Sequence, residues 1–284
     1  MKIWFNGEIR NEQGVIGARD RGFLLGDGVF ETLSVINGEP LFLSRHVGRL
    51  KASLIALGFA TSLDERSLGN AIAALAEIND LKIGNAVARI TVTRGTSERG
   101  LDFLSVQGQE ASILVAVQPY TAPAVEPSRV MISQYPRSSS ALSSRHKIIA
   151  YMDNIMARHE ASEAGYDDAV MLNEFGRPAC FAAANLFCVE DKSTLVTPSI
   201  EEGALPGLVR AMLIERASDI GFSVKQASIS VKTMESRPTF MTNSLVGVRP
   251  CKFSDDVAPL DPRVARIVKW WRDMIQDEYR GRVS

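Results

Sequence analysis

The sequence predicts an α+β (mixed α/β) protein of two domains, on three observations. β-Branched runs and segments of helical apolar spacing are mixed along the whole chain, with no internal repeat. Asn-Gly pairs beside strand-like runs mark tight turns. A proline-rich, aperiodic stretch then breaks the pattern at TAPAVEPS, residues 121 to 128. With 284 residues, 45% of them apolar, the chain can fill one large core or two ordinary ones.

The opening KIWFNGEI reads as a strand turning at Asn6-Gly7, and FETLSVINGEPLF as a hairpin turning at Asn37-Gly38. ARDRGFLLGDGVFET lies between them, too rich in Gly and Asp for a plain strand and too apolar for a solvated loop. Val47, Leu50, Leu54 and Leu57 keep helical spacing from Ser44 onward, with Ser44 as the expected N-cap. A second helix is expected over Glu65 to Ile78, carried by Leu68, Ile72 and Leu75. AVARITVTRG and ASILVAVQPY are strand-like. Residues 1–118 therefore form a small α/β domain, 119–128 a linker and 129–284 a larger domain. In the latter, VMISQYP reads as a strand and Lys147 to Ala164 as a long helix closed by Gly165. DDAVMLN, NLFCVE and STLVTP read as a meander, and GLVRAMLIERASDIGF as a helix entered from a Pro-Gly turn. Two further strand regions, SVKQASIS and PTFMTNSLVGVRPCKF, precede a last helix from Pro262 to Tyr279.

A formal net charge of −1 gives no overall field favouring nucleic acid or an anionic membrane, so small neutral or zwitterionic partners are expected. Cys180, Cys188 and Cys251 are odd in number and lack CxxC spacing, which argues against a disulfide framework and against a structural metal site. No apolar run approaches the roughly 20 residues that span a bilayer, and the N-terminal stretch lacks a signal-like apolar region. The expected location is cytoplasmic.

Few residues invite chemistry by themselves. Lys147, in SSRHKIIAYMDN, stands where a polar stretch meets apolar neighbours; partial desolvation there lowers an amine's pKa and makes it nucleophilic, although a surface lysine fits the same pattern. LPGLVR leads into a helix N-terminus, where free N–H groups and the dipole favour phosphate, although an ordinary capped helix is the default for such a start. Thr242, Asn243 and Ser244 offer hydroxyl and amide groups, or simply a turn. Arg45, Arg49, Arg89, Arg94 and Arg99 are cations in the first domain, with surface solvation as the default for each.

The segments DRGFLLGDGVFETL, HVGRL, RITVTRGTSERG, HK with AYMDNIMARHEASEAGYDDAVMLNEFGRP, AANLFCV, TPSIEEGALPGLVR and FMTNSLVGVRP run in one order over nearly the whole chain. In that order and spacing the sequence resembles the fold-type IV (class IV) pyridoxal phosphate enzymes: branched-chain aminotransferases, D-amino acid transaminases and aminodeoxychorismate lyases. The resemblance implies a two-domain, D-amino acid aminotransferase-like fold, pyridoxal 5′-phosphate as cofactor, amine and keto acid substrates, and a homodimer. Lys147 is then the residue that holds the cofactor as a Schiff base and shuttles the substrate proton. Arg49 would pair with the cofactor phosphate, completed by the backbone amides of Leu208 and Val209 and by Ser244. Val209 stands where many relatives carry threonine, so one hydroxyl contact is missing. Tyr151 matches a tyrosine beside the cofactor hydroxyl.

Cys180, in GRPACFAAANLF, falls where the family has a glutamate that keeps the cofactor's pyridine nitrogen protonated. A thiol with an ordinary pKa of about 8.5 is a weak neutral donor and does not do this reliably, unless the cysteine only packs and another group takes the role. Arg99 aligns with the substrate-carboxylate arginine of D-amino acid transaminases and Arg89 with that of branched-chain enzymes, while Phe30 replaces a tyrosine and Leu101 a histidine of the D-amino acid enzymes. The resemblance leaves three readings: an aminotransferase, a lyase of the aminodeoxychorismate type releasing pyruvate, and a cofactor-binding protein with weak or altered activity.

Overall fold

Strand β3 (Gly28–Ile36) pairs along its full length with β5 (Asn85–Thr93) and organises a six-stranded antiparallel sheet. The computed structural model describes residues 1–102, 111–122, 126–254 and 259–283. The sheet order is β2-β1-β6-β5-β3-β4, with β1 (Lys2–Phe5), β2 (Glu8–Asn11), β4 (Glu39–Pro40) and β6 (Ser112–Pro119). Asn6 and Asn37 take positive φ beside glycine in the two predicted turns. Alternation along β3 sends Val29, Leu33 and Val35 to one face. There they meet Val47, Leu50 and Leu54 of α2 (Leu43–Ala56) and Leu68, Ile72 and Leu75 of α3 (Glu65–Ile78). A short helix, α1 (Arg21–Leu25), fills the segment before β3, capped by the Asp20 side chain.

Ser44 is not the N-cap of α2. The cap lies two residues earlier, because Phe42 adopts the left-handed conformation at φ 52° and takes the cap position without a side-chain bond. Its N–H donates to Glu278 Oε1 at 3.0 Å, while the Ser44 hydroxyl turns to Glu65.

The chain divides into two compact units, Met1–Ala122 with Lys147–Ala150 and Asp277–Ser284, and Pro123–His146 with Tyr151–Gln276. Of the expected linker, Pro119 ends β6, Ser128 begins a strand, and residues 123–125 lie outside the described residues. The excursion at Lys147–Ala150 corrects the expected helix. Ile148 bridges Val29, Phe30 N–H donates to Lys147 O at 2.9 Å, and Ile149 N–H donates to Gly28 O at 3.0 Å. These bonds consume the groups a helix would use. Only Val35 and Ile36 of β3 pair with β4, so the start of β3 offers an edge that this segment takes up.

The second unit carries an eight-stranded mixed sheet of order β12-β11-β10-β13-β14-β7-β8-β9. Its members are β7 (Ser128–Ile132), β8 (Asp168–Leu172), β9 (Pro178–Phe181), β10 (Asn185–Val189), β11 (Thr194–Thr197), β12 (Ser223–Gln226), β13 (Thr239–Asn243) and β14 (Gly247–Lys252). The expected meander is divided, since β8 pairs with β7 and β9 whereas β10 pairs with β11 and β13. Helices α4 (Leu142–Arg145), α5 (Met152–Glu163), α6 (Leu208–Arg216), α7 (Val231–Glu235) and α8 (Pro262–Val283) complete the chain, α6 being followed by a separate 3-10 turn over Ala217–Ile220. Val264, Ile267, Trp270 and Trp271 of α8 are buried. Among the described residues no helix is long and apolar enough to cross a membrane.

Candidate active site

The lysine comes first, because the edge of β3 positions it. Lys147 is half-buried in the segment hydrogen-bonded to the start of β3, and its Nζ lies 4.3 Å from the centre of the Phe30 ring. The Arg89 guanidinium, from the neighbouring strand β5, lies 3.8 Å from the same ring and bonds Thr91 Oγ1 at 3.2 Å. Phe30 is buried, so its face offers two cations a desolvated, electron-rich platform. Lys147, Phe30 and Arg89 are thus brought together. Arg99 lies apart in sequence within the exposed Glu98–Gly100 stretch, next to exposed Leu101.

Arg49 is engaged on its own helix face. Its Nε donates to Glu31 Oε1 and its Nη2 to Glu31 Oε2, both at 2.7 Å. His46, one turn earlier on α2, meets Glu31 Oε2 through Nδ1 at 2.7 Å. Burial pushes the Glu31 carboxyl up, but the Arg49 charge and the hydrogen bonds from His46 and Arg49 outweigh it and hold the pKa at about 2. Arg94 differs from the surface default assumed for it. It is buried, donates through Nε to Asp27 Oδ2 at 2.9 Å, and bonds the Gly58 and Leu57 carbonyls at 2.9 and 3.0 Å. Arg21 shares Asp27 at 2.8 Å and reaches the Gly100 carbonyl at 3.0 Å.

In the second unit, Leu208 and Val209 open α6 after Gly207, which provides no side-chain cap. Their N–H groups therefore point to where an anion would sit. Asn185 braces this entry: its Nδ2 donates to Leu205 O at 2.8 Å, and a Cβ built on Gly207 would stand 1.9 Å from its Oδ1. Thr242, the cross-strand partner of Asn185 and so on the same face, is buried, and its Oγ1 has no hydrogen-bond partner among the described residues. Ser244 occupies the turn from β13 to β14, which Asn243 closes by accepting from Leu245 N at 2.9 Å and Val246 N at 2.8 Å. Tyr151 is the N-cap of α5 rather than a residue within a helix.

Cys180 lies in β9 opposite Met171, packed in a cluster of Ala157, Ala161, Ala169, Ala179 and Ala182. Burial pushes its thiol up, opposed by the Arg137 charge and assisted by Asp168, so the group is neutral. Arg137 is itself buried, with Nη1 on Asn154 Oδ1 at 3.2 Å and Nη2 on the Ser143 carbonyl.

Thr242 was among the candidate hydroxyls of the sequence reading, whereas Glu31, His46, Arg137 and Asn185 escaped it. Each bears an ordinary polar side chain within a strand, helix or loop, and only tertiary burial distinguishes it. The nearest signal was Glu31 in VFETL, a lone carboxylate on the apolar face of a strand.

A mixed α/β chain of two units with these sheets has the fold of the fold-type IV pyridoxal phosphate enzymes. The chain belongs to the amino-transferase class IV family, whose model matches residues 28–252. It is 29% identical to the aminodeoxychorismate lyase of Bacillus subtilis over 255 residues, covering 87% of this chain and 85% of that one. The branched-chain aminotransferase of Thermoproteus uzoniensis, solved with norvaline, superposes with a TM-score of 0.87 at 25% identity, covering 98% of this chain and 95% of the other. The 4-amino-4-deoxychorismate lyase of Pseudomonas aeruginosa superposes with a TM-score of 0.82 at 28% identity, covering 95% and 98%. The protein is accordingly a pyridoxal 5′-phosphate-dependent enzyme. Its residues fit the phosphate of that cofactor, through the uncapped α6 start and the orphan Thr242 hydroxyl. In β9, Cys180 brings a buried neutral thiol and no carboxylate.

Proposed function

We propose that the protein is an aminotransferase that moves an amino group from an amino acid or another primary amine to a keto acid, with Lys147 as its catalytic residue. The observation that carries this reading is the withdrawal of Lys147–Ala150 from helix into hydrogen-bonded register with β3, which fixes one lysine beside a buried aromatic face. Bound pyridoxal 5′-phosphate supplies the electron sink that lets a substrate Cα–H bond break. Lys147 would hold the cofactor covalently through its amine and would serve as the acid and base for the substrate Cα proton. Arg49, the Leu208 and Val209 amides and Ser244 would hold the phosphate, Tyr151 would serve the ring hydroxyl, and Cys180 would take the place of the ring-nitrogen carboxylate. Phe30, Arg89 and Arg99 receive the substrate, the two arginines through its carboxylates. Borohydride reduction followed by peptide mapping tests the centre of this reading: the reduced pyridoxyl group is expected on Lys147, and its recovery on another lysine refutes it.

A second reading, a lyase that expels pyruvate, is favoured by the lyase relatives in B. subtilis and P. aeruginosa. The two differ in demand for a co-substrate. An aminotransferase turns over only with a keto acid acceptor, whereas the lyase releases pyruvate from its amine without one. The replacement at Cys180 supports a third reading, cofactor binding with weak activity, which predicts a cofactor absorbance unmoved by every amine donor.

The enzyme works as a homodimer in the cytoplasm on this proposal. Exposed Phe23, Leu24 and Leu25 of α1 supply apolar surface for a second copy, and the three cysteines are free, as a reducing compartment requires. Light scattering that finds an active monomer at assay concentration removes the dimer.

A further inference from the structure

The Glu31–His46–Arg49 group poses a charge problem that the proposed chemistry leaves unanswered. A phosphate dianion is bound best by an undiluted cation, yet Arg49 is paired with a carboxylate held ionised far below neutral pH. Glu31 is only 1% exposed and Arg49 17%, so solvent screens the pair little. On electrostatics alone, Glu31 weakens phosphate binding. The geometry gives it a different part.

We propose that Glu31 is a positioning residue that orients the Arg49 guanidinium for the cofactor phosphate; this rests on the reading of Arg49 as the phosphate-binding arginine. Two parallel bonds of 2.7 Å, from Nε and Nη2 to the two carboxylate oxygens, fix both the position and the plane of the guanidinium. A single bond would leave it free to rotate. The third bond, 2.7 Å from His46 Nδ1 to Oε2, in turn fixes the carboxylate, and His46 stands on the same face of α2 as Arg49.

The place of Glu31 in the strand gives this fork its purpose. Phe30, the preceding residue, donates its N–H to the Lys147 carbonyl and lies under the Lys147 amine. One short piece of β3 therefore sets the lysine through residue 30 and the arginine through residue 31. A cofactor held covalently at one end and ionically at the other needs those two anchors at a fixed separation. Phe30 and Glu31 are joined by one planar peptide, about 3.8 Å from Cα to Cα, and their side chains leave the strand on opposite faces, so the two anchors are set from the two sides of one strand.

The positioning role and the charge count predict opposite signs for one substitution. The experiment uses apoprotein of the full chain, titrated separately with pyridoxal 5′-phosphate and with pyridoxal, which lacks the phosphate. With Glu31→Gln, which keeps the shape but replaces an acceptor oxygen by an amide donor facing Arg49, phosphorylated cofactor is expected to bind about tenfold more weakly. Pyridoxal binding should stay within about twofold. Glu31→Asp, which keeps the charge and protects the fold while shortening the reach, should show the same selective loss at smaller size. In the Arg49→Ala background, adding Glu31→Gln should cost nothing more, since there is no guanidinium left to orient. Unchanged or tighter binding of the phosphorylated cofactor by Glu31→Gln and Glu31→Asp overturns the proposal. Equal loss of both ligands also overturns it, by reducing Glu31 to a buried structural partner. The parent reading fails separately: Arg49→Ala would then lose pyridoxal and its phosphate alike, and the positioning role would fall with it.

Discussion

Two places in the second unit, the start of α6 and the middle of β9, hold their expected cofactor groups by different means. At α6 the donors are backbone N–H groups, presented by Gly207 and braced by Asn185, so a change of side chain from threonine to Val209 removes one contact and leaves the others. At β9 the expected group is a side chain, and Cys180 replaces all of its chemistry at once. Function carried by the backbone survives substitution as long as the fold does. Function carried by one side chain is only as durable as that residue.

Four substitutions break or sharpen this contrast. The largest effect is expected at Arg94, a side chain that serves scaffolding alone. Arg94→Ala leaves Asp27 short of a partner and strips the Leu57 and Gly58 carbonyls, at a cost of about 3 kcal/mol in chemical denaturation. The ratio of pyridoxal phosphate to pyridoxal affinity should not move, and a shift in that ratio would place Arg94 in the site. Next comes Gly207→Ala, whose Cβ collides with Asn185 Oδ1 and forces the α6 start to shift. Overpacking of about 1–3 kcal/mol predicts a tenfold to hundredfold loss of cofactor affinity, which Asn185→Ser should largely restore by making room. Wild-type affinity in Gly207→Ala would mean that the backbone there is not what binds.

Cys180→Glu follows, with a rise of about tenfold in the single-turnover rate with the best amine donor, equivalent to about 1.4 kcal/mol of transition-state stabilisation. Arg137, whose charge already reaches this position, would keep the new carboxylate ionised, and Cys180→Ser should show no gain. If the glutamate variant folds, binds cofactor and reacts no faster, ring protonation is not the bottleneck. The smallest effect is expected from Val209→Thr. Adding one hydroxyl to a site that already has backbone donors should tighten cofactor binding by about 1 kcal/mol or less, measured by equilibrium titration. A larger gain would show that the backbone set is weaker than its geometry suggests.

Turns, the helices α2 and α3 and most strands were legible because their signals are local: Asn-Gly at Asn37, and apolar spacing at Leu68, Ile72 and Leu75. The helix drawn from Lys147 failed for a non-local reason. Nothing within LSSRHKIIAY announces that its backbone will find the unpaired edge of β3, more than a hundred residues earlier in the chain. The N-cap at Ser44 failed likewise, since the partner of Phe42 N–H is Glu278, near the other end of the chain.

By itself the sequence determined the mixed α/β class, the family and its cofactor, and it named Lys147 as the candidate lysine and Cys180 as the expected departure, because residue types in a fixed order carry all of these. Tertiary structure alone decided that Lys147 is bonded to the start of β3 over Phe30, that Arg49 leans on Glu31, and that Arg94 is scaffold rather than surface. Those outcomes depend on which distant groups are buried together, and burial sets whether a charge is solvated, paired or poised.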